Sequence, residues 1–399
     1  MPRLVQFSVF LLVMLAVLGG MHFYLWARLV RDPDLAEPWR RLLTAGLVVA
    51  AVTVPASILL MRSRPSRLAQ AFSFVGMTWL GTSFLLFSAL LATDLVRLFV
   101  AGSAAVRDWM RHAPEVPVDP ERRQLLARAV AGGATLAVGG ASAFAMRSAL
   151  ADPEIHEVPV RLERLPRRLS GLSIAQITDL HIGPTIGEPA VRRVVQAANA
   201  LKPDLVAITG DLVDGSVTGL GRAVAELGAL RARYGVLFVT GNHEYYSGVE
   251  PWLAFLRQLG FRVLRNERVS IGEGDASLDV AGIDDWRSRG LAPGHGPDLG
   301  KALAGRDPDR SLLLLAHQPR GVEEAVRSGV ELQLSGHTHG GQIFPFTLLT
   351  GLVYPYLRGL YRLEEGGREG QVFVSRGTGY WGPPMRLGNP PEIARIVLT

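Results

Sequence analysis

The chain has 399 residues, 48% of them hydrophobic, with no cysteine and a formal net charge of +6. That length allows two or more domains, and the apolar share, with a mean hydropathy of +0.21, points to a membrane part. The missing cysteines exclude a disulfide framework and a thiolate metal site, so any metal must be held by nitrogen and oxygen. The positive charge is nearly all arginine, since Lys202 and Lys301 are the only lysines. The arginines cluster beside apolar segments, where they anchor membrane helices, and no nucleic-acid partner is expected.

Four apolar segments fill the first 150 positions: Leu4 to Ala27, Leu42 to Met61, Leu68 to Val100 and Leu125 to Met146. Each is long enough for a hydrocarbon core of roughly 30 Å, which takes about 20 helical residues. The first is too long and too weakly cleavable for a simple signal peptide. Pro55 inside the second is tolerated in membrane helices. Gly132, Gly133, Gly139 and Gly140 in the fourth suggest close helix packing. Asp94, Arg97 and Arg128 fall near helix ends, where they can snorkel to the interface. Arginine counts set the orientation. The N-in arrangement keeps Arg3, Arg62, Arg64, Arg67 and Arg147 inside. The N-out arrangement keeps Arg28, Arg31, Arg40, Arg41, Arg107, Arg111, Arg122 and Arg123 inside. The second set is larger, which puts the C-terminal part outside the cytoplasm, and Arg122-Arg123 is somewhat like a twin-arginine export signal. The expected location is a bacterial inner membrane, crossed several times.

Residues 151–170 read as a linker, charged and Pro-containing over Arg161 to Arg168, and 171–399 as one domain. There, short apolar runs alternate with helical patterns. Strands are expected at Ser173 to Thr178, Leu205 to Thr209 and Val236 to Thr240. Helices follow near Glu188 to Ala200, Leu220 to Arg233 and Val249 to Leu259. Further strands are expected at Leu278 to Ile283, Ser311 to Ala316, Leu332 to Ser335, Gln371 to Ser375 and Glu392 to Leu398. The pattern is that of an α/β domain with at least one mixed sheet.

Polar residues follow five of these strands: Asp179 and His181; Asp211; Asn242 and His243; His317; His337 and His339. Sites in α/β folds form outside the carboxyl ends of strands, so the five clusters should converge on one rim. Asp179 and His181 are two apart, as are His337 and His339, and such pairs project to one side of an extended segment. Glycines at 210, 241, 336, 340 and 341 allow tight turns and close backbone approach. Asp179, His181, Asp211, Asn242, His317, His337 and His339, with His243 beside them, exceed the needs of one tetrahedral ion. They suit two divalent ions about 3.5–4 Å apart sharing a carboxylate. The N/O set accepts zinc, iron or manganese alike. A lone histidine is more often structural, as His22, His112, His156 and His295 are read. Asp214 and Glu244 are read as solvated or supporting acids and not as ligands.

The series Asp179-x-His181, Gly210-Asp211, Gly241-Asn242-His243-Glu244, His317 and Gly336-His337-x-His339 resembles the calcineurin-like metallophosphoesterase superfamily. Gly336 to Gln342, Ser375-Arg376-Gly377, Pro384 to Gly388 and Pro390 to Ile393 resemble its bacterial membrane-associated YkuE-like branch. The resemblance covers about residues 155 to 399. It implies a four-layer sandwich of two mixed β-sheets flanked by helices. It also implies one metal on Asp179, His181, Asp211 and His339, and another on Asp211, Asn242, His317 and His337, with Asp211 bridging. Tyr380-Trp381 departs from the smaller residues of relatives and leaves the pocket shape open.

The expected function is a membrane-anchored phosphoesterase that cleaves phosphate ester or pyrophosphate bonds by metal-activated hydroxide. His243 is expected to act as the catalytic residue at the leaving oxygen. The aromatic stretch Phe344 to Tyr361 either lines a groove or meets the bilayer, or is a packed loop and hairpin. Membrane lipids are expected partners and a lipid-linked phosphate the expected substrate. The alternatives are a UDP-2,3-diacylglucosamine-type pyrophosphatase of lipid A synthesis, and a membrane sensor or transporter with an accessory hydrolase domain.

Overall fold

The structure is a computed structural model that describes residues 3–60, 66–111, 119–274 and 276–399. Arg62, Arg64 and His112 lie outside the described residues. The chain divides into two compact units, one ending at Ala145 and the other running from Met146 to Thr399.

The first unit holds α1 (Arg3–Trp26), which runs into a π-helical turn at Ala27–Arg31, α2 (Trp39–Leu60), α3 (Arg67–Met110) and most of α4 (Pro120–Leu150). All four are long and apolar enough to cross a membrane. Leu12, Val17, Val49, Leu98 and Leu136 point outward, as helices apolar all round do in a bilayer. The third helix outruns the expected Val100 by ten residues: Ala101, Ala104 and Ala105 carry it past the apolar run, and Arg107 and Asp108 charge its last turn. A Cβ added at Gly132, Gly133, Gly139 or Gly140 would meet nothing within 4 Å among the described residues, so these glycines mark no close crossing there. The close crossing is at Gly76 of α3, where a Cβ would collide with Ser57 of α2. Asp94 does not snorkel alone. It takes hydrogen bonds from Tyr24 (2.5 Å) and Arg28, while Arg128 donates to the Pro33 carbonyl at 2.9 Å.

In the second unit the chain runs β1 (Glu154–Val160), β2 (Ser173–Ile177), α5 (Glu188–Ala200), β3 (Leu205–Ile208), α6 (Val217–Ala225) and β4 (Val236–Phe238). Then come α7 (Asn242–Tyr246), α8 (Val249–Gln258), β5 (Arg262–Val263), β6 (Glu267–Glu273), β7 (Ala276–Gly282) and α9 (Leu299–Leu303). The chain closes with β8 (Leu312–Leu315), α10 (Val322–Arg327), β9 (Leu332–Ser335), α11 (Phe346–Val353), β10 (Gly359–Glu365), β11 (Arg368–Val374) and β12 (Glu392–Leu398).

Two six-stranded mixed sheets result, ordered β1-β12-β2-β3-β4-β5 and β10-β11-β9-β8-β7-β6. In the first, β2 to β5 run parallel and β12 antiparallel to β2. In the second, β11, β9, β8 and β7 run parallel, with antiparallel β10 and β6 at its edges. Strict alternation along each strand builds the layers. Leu205 and Ala207 face the core between the sheets, with Leu313 and Leu315 of β8. Val206 and Ile208 face the opposite way, under α5, α6 and α8. Leu312 and Leu314 face the α9 and α10 layer. Each such Leu, Val or Ile side chain contributes roughly 1.5–3 kcal/mol on full burial.

The stretch expected as a linker supplies a strand. Residues 154–160 form β1, paired in parallel with β12. It is an edge strand with only Val158 and Val160 buried, and Pro159, which lacks an N–H, is tolerated there. That polar, Pro-containing pattern hides it from a reading by apolar runs. Expected Leu220 to Arg233 is shorter, as α6 plus a 3-10 turn at Glu226–Ala229.

Candidate metal centre

The five polar clusters do converge. Asp179 and His181 follow β2, Asp211 follows β3, Asn242 begins α7 after β4, His317 follows β8, and His337 and His339 follow β9. Asp179, His181, Asp211, Asn242, His317 and His339 are buried, and His337 and His243 partly so.

Two groups of ligand-type atoms share Asp211. In one, His181 Nε2 lies 3.1 Å from His339 Nε2, and Asp179 Oδ1 lies 3.4 Å from His339 Nε2. In the other, His317 Nε2 lies 3.1 Å from His337 Nδ1 and 3.1 Å from Asp211 Oδ2. The same Asp211 oxygen is 3.9 Å from His181 Nε2 and 3.9 Å from His243 Nε2. Ring nitrogens facing each other over carboxylate oxygens have few proton-sharing solutions but form a ready cation cage. Asn242 Oδ1 is buried with no hydrogen-bond partner among the described residues. A buried amide oxygen left alone is costly, and a cation satisfies it. The donor set therefore fits two divalent cations.

The far side of each ring is held. His317 Nδ1 donates to the Thr209 carbonyl (2.8 Å), which leaves Nε2 free to ligate. His337 Nε2 faces the Tyr354 hydroxyl at 3.1 Å. Asp214 accepts from His181 Nδ1 at 3.2 Å and from His243 Nδ1 at 2.5 Å. Arg386 donates from Nη2 to His339 Nδ1 at 3.0 Å, from Nε to the Gly379 carbonyl, and from Nη1 to the His339, Arg376 and Asn389 carbonyls. Such partners orient metal ligands. Glu244 accepts from the backbone N–H of Asp211 (3.0 Å), Leu212 (2.7 Å) and Gly241 (2.6 Å), clamping two loops together. Of the two readings for Asp214 and Glu244, solvated or supporting acids, these contacts favour the supporting one, with Glu244 buried and Asp214 partly so. In the sequence Tyr354 is legible only as one aromatic of the Phe344 to Tyr361 stretch and Arg386 only as part of the Pro384 to Gly388 motif; their contacts with the ligand histidines arise through folding. A Cβ at Gly336 would collide with the Asp179 carboxylate, and one at Gly241 with that of Asp211. These two glycines allow the loops to close on the ligands.

Charge follows from the same contacts. Burial alone pushes the His243 imidazole down, but the Asp214 bond and the Asp211 charge outweigh it and hold the ring at about 9. Burial and the Asp211 charge lift Glu244 to about 7. Burial, then the His317 charge, pushes His337 down to about 3. His339 is held far below the usual imidazole range by burial and the Arg386 guanidinium, which favours the deprotonated ring that a cation requires. Asp211 stays well below the carboxylate range: burial raises it, but His317 more than reverses that.

Of the expected structural histidines, His156 is exposed on β1, while two others have partners. His22 Nε2 accepts from Trp79 Nε1 at 2.9 Å, and His295 bridges Tyr245 and Glu250. Trp381 stands over His243 with ring centres 5.8 Å apart and is half exposed, while Tyr380 is buried with its hydroxyl on the Thr185 carbonyl. The departure at these positions thus puts one aromatic ring at the mouth of the site and one in the core.

Residues 172–341 match the calcineurin-like phosphoesterase family. A Bos taurus transmembrane protein with metallophosphoesterase domain is 36% identical over 402 residues, covering 96% of this chain and 87% of the relative. A Danio rerio protein of the same description is 41% identical over 262 residues, 64% of this chain and 59% of that relative's length. The Bacillus subtilis metallophosphoesterase YkuE is 31% identical over 69% of this chain and 97% of its own. With two mixed sheets, helices on their outer faces and a cage suited to two cations, the chain belongs to the calcineurin-like metallophosphoesterase family of metal-dependent phosphoesterases.

Proposed function

We propose that this is a membrane-anchored phosphoesterase acting on phosphate ester or pyrophosphate bonds of lipid-linked substrates. One cation would be held by Asp179, His181, Asp211 and His339, the other by Asp211, Asn242, His317 and His337. The observation that carries this is Asp211 Oδ2, which faces both histidine groups, together with the orphaned Asn242 Oδ1. Manganese, iron and zinc all suit these donors. When bound, two divalent cations supply a water of lowered pKa and neutralise the charge of the phosphate. The chain's own residues do the rest. His243 has its Nδ1 tied to Asp214 and its Nε2 turned to the site. Carrying a proton at neutral pH, it donates that proton from Nε2 to the leaving oxygen. Trp381 and Tyr246 flank its ring edge-on.

Lipid-linked phosphate as substrate class is supported by the four apolar helices and by the aromatic and aliphatic side chains at the mouth. Arginine placement supports a catalytic unit outside the cytoplasm of a bacterial cell. His243→Ala tests the chemistry: turnover should fall about 10²–10⁴-fold, the usual range for a general acid, with two metals per chain retained. Metal content falling in step with activity would refute the role given to His243. Equal turnover of soluble and lipid phosphates would remove the lipid reading, and a topology reporter fused after Thr399 decides the side.

A further inference from the structure

Between Ile343 and Leu357 the chain carries no charge over fifteen residues, IFPFTLLTGLVYPYL. Its middle is α11, and this helix does not bury its apolar side chains. Leu352 is 84% exposed and Val353 71%, with Leu348, Leu349, Phe344 and Phe346 also exposed. Within the helix the small polar Thr350 is the buried residue. The usual burial order is inverted: polar inward, large apolar outward. Water-facing surfaces of soluble domains do not gather such patches without a function.

We infer that α11 is an interfacial helix that seats the catalytic unit on a bilayer surface. The occupant is argued from the chain itself. The last apolar helix ends at Leu150 and β1 begins at Glu154, so three residues of link hold the catalytic unit close to any membrane α4 crosses. The patch adjoins the metal centre. Tyr354, which ends α11, contacts His337, and Gln342, just before the patch, bonds the backbone of exposed Trp381 beside His243. Exposed Trp at the rim of an apolar face is the arrangement found at membrane interfaces. A helix whose outer face is apolar can bury that face about 5–10 Å into the headgroup boundary. The mouth of the site then opens at the lipid–water boundary. The docking rests on the reading that α1 to α4 are membrane-embedded, and not on any choice of substrate.

The absence of cysteine makes the test clean. Three single-cysteine full-length proteins, Leu352→Cys, Val48→Cys in α2 and Glu273→Cys on the exposed edge of β6, are labelled with an environment-sensitive fluorophore. They are reconstituted in phosphatidylcholine–phosphatidylglycerol vesicles containing nitroxide-bearing lipid. The Leu352 label should be quenched to within about twofold of the Val48 label and at least about fivefold more than Glu273, as an interfacial helix requires. Quenching of Leu352 no greater than of Glu273, with Val48 strongly quenched, overturns the docking. Val48 unquenched overturns the anchoring reading instead. Oxidative cross-linking of Leu352→Cys into a dimer without lipid quenching assigns the patch to a second copy and also overturns the proposal. Adding Leu348→Glu to the Leu352→Cys protein should abolish most of the quenching, while hydrolysis of a soluble aryl phosphate stays unchanged.

Discussion

Asp214→Asn is the most discriminating substitution in the catalytic unit. Asp214 accepts from both His181 and His243, and its carboxylate lies well below the usual range: burial raises it, but His181 and His243 more than reverse that. Asparagine keeps the shape but loses the charge and one of the two acceptor oxygens. A hydrogen bond to a charged group is worth about 1.5–3 kcal/mol, or roughly 10- to 150-fold in rate if the whole loss falls on the transition state. Losses of about 10- to 100-fold on removing such a partner are typical. We expect kcat to fall in that range with two metals per chain at saturating manganese. The pH profile gives a second reading. His243 is raised, so its protonated form is present at neutral pH and lost as pH rises toward about 9. Bound cations oppose that protonation and pull the falling limb below about 9. Asp214→Asn removes the main raising contact, so the limb should move further toward acid. Steady-state rates from pH 5 to 10 and metal analysis of the same samples check both. A variant within twofold of the parent in kcat, with the limb unmoved, refutes the orienting role. A drop to one metal per chain with a matching loss of rate shows that Asp214 acts through His181 alone.

Other substitutions separate fold from site. Tyr354→Phe removes the hydroxyl on His337 and should weaken binding of the cation His337 helps hold by about tenfold with little change in stability, read by metal titration. Arg386→Met strips the donors from several buried carbonyls and from His339 and should cost about 3–5 kcal/mol, read as a fall of roughly 10 °C in Tm. Gly336→Ala drives a methyl into the Asp179 carboxylate and should lower metal occupancy and turnover together, by elemental analysis and rate. Chelation should lower Tm, and re-addition of manganese at about 100 times its Kd should restore about 2.7 kcal/mol, by calorimetry.

How far the sequence speaks depends on what covers each element. β2, β3, β8 and β9 are buried on both faces, so they read as runs such as Leu205 to Ile208 and Leu312 to Leu315, and their ends mark the site. β1 is a polar edge containing Pro159, β5 has two residues, and β10 alternates without a buried face, so none stands out. α7 is five residues long and reads as a turn, yet it aims Asn242 inward and returns Glu244 to the Gly241 N–H. α11 was legible as an apolar stretch, but only the fold reveals that its apolar side chains face out. The ligands carry dense local motifs; Arg386 and Tyr354 lie in stretches that stand out for other reasons, and nothing local marks their contacts with His339 and His337.

Backbone strain ties the motifs to the site more closely than spacing does. Asp179, His181, Asp211, His337 and His339 all adopt positive φ, between 50° and 71°. Left-handed conformations cost non-glycine residues about 1–3 kcal/mol each and persist where surrounding structure over-determines them. At the upper limit, five would rival the whole stability of a domain, about 5–15 kcal/mol. The choice of residue keeps the cost near the lower limit, because Asp and His tolerate this region better than most side chains. The contacts supply the constraint: Glu244 clamps the Asp211 loop, and the Asp179 carboxylate accepts the His337 N–H at 2.9 Å. Chemistry and backbone therefore select the same residues. A carboxylate or imidazole is wanted as ligand, and either is cheaper here than a β-branched or aliphatic residue would be. A substitution of Asp211 or His337 thus removes a donor and adds strain at once, and its effect on stability should exceed that of metal removal alone.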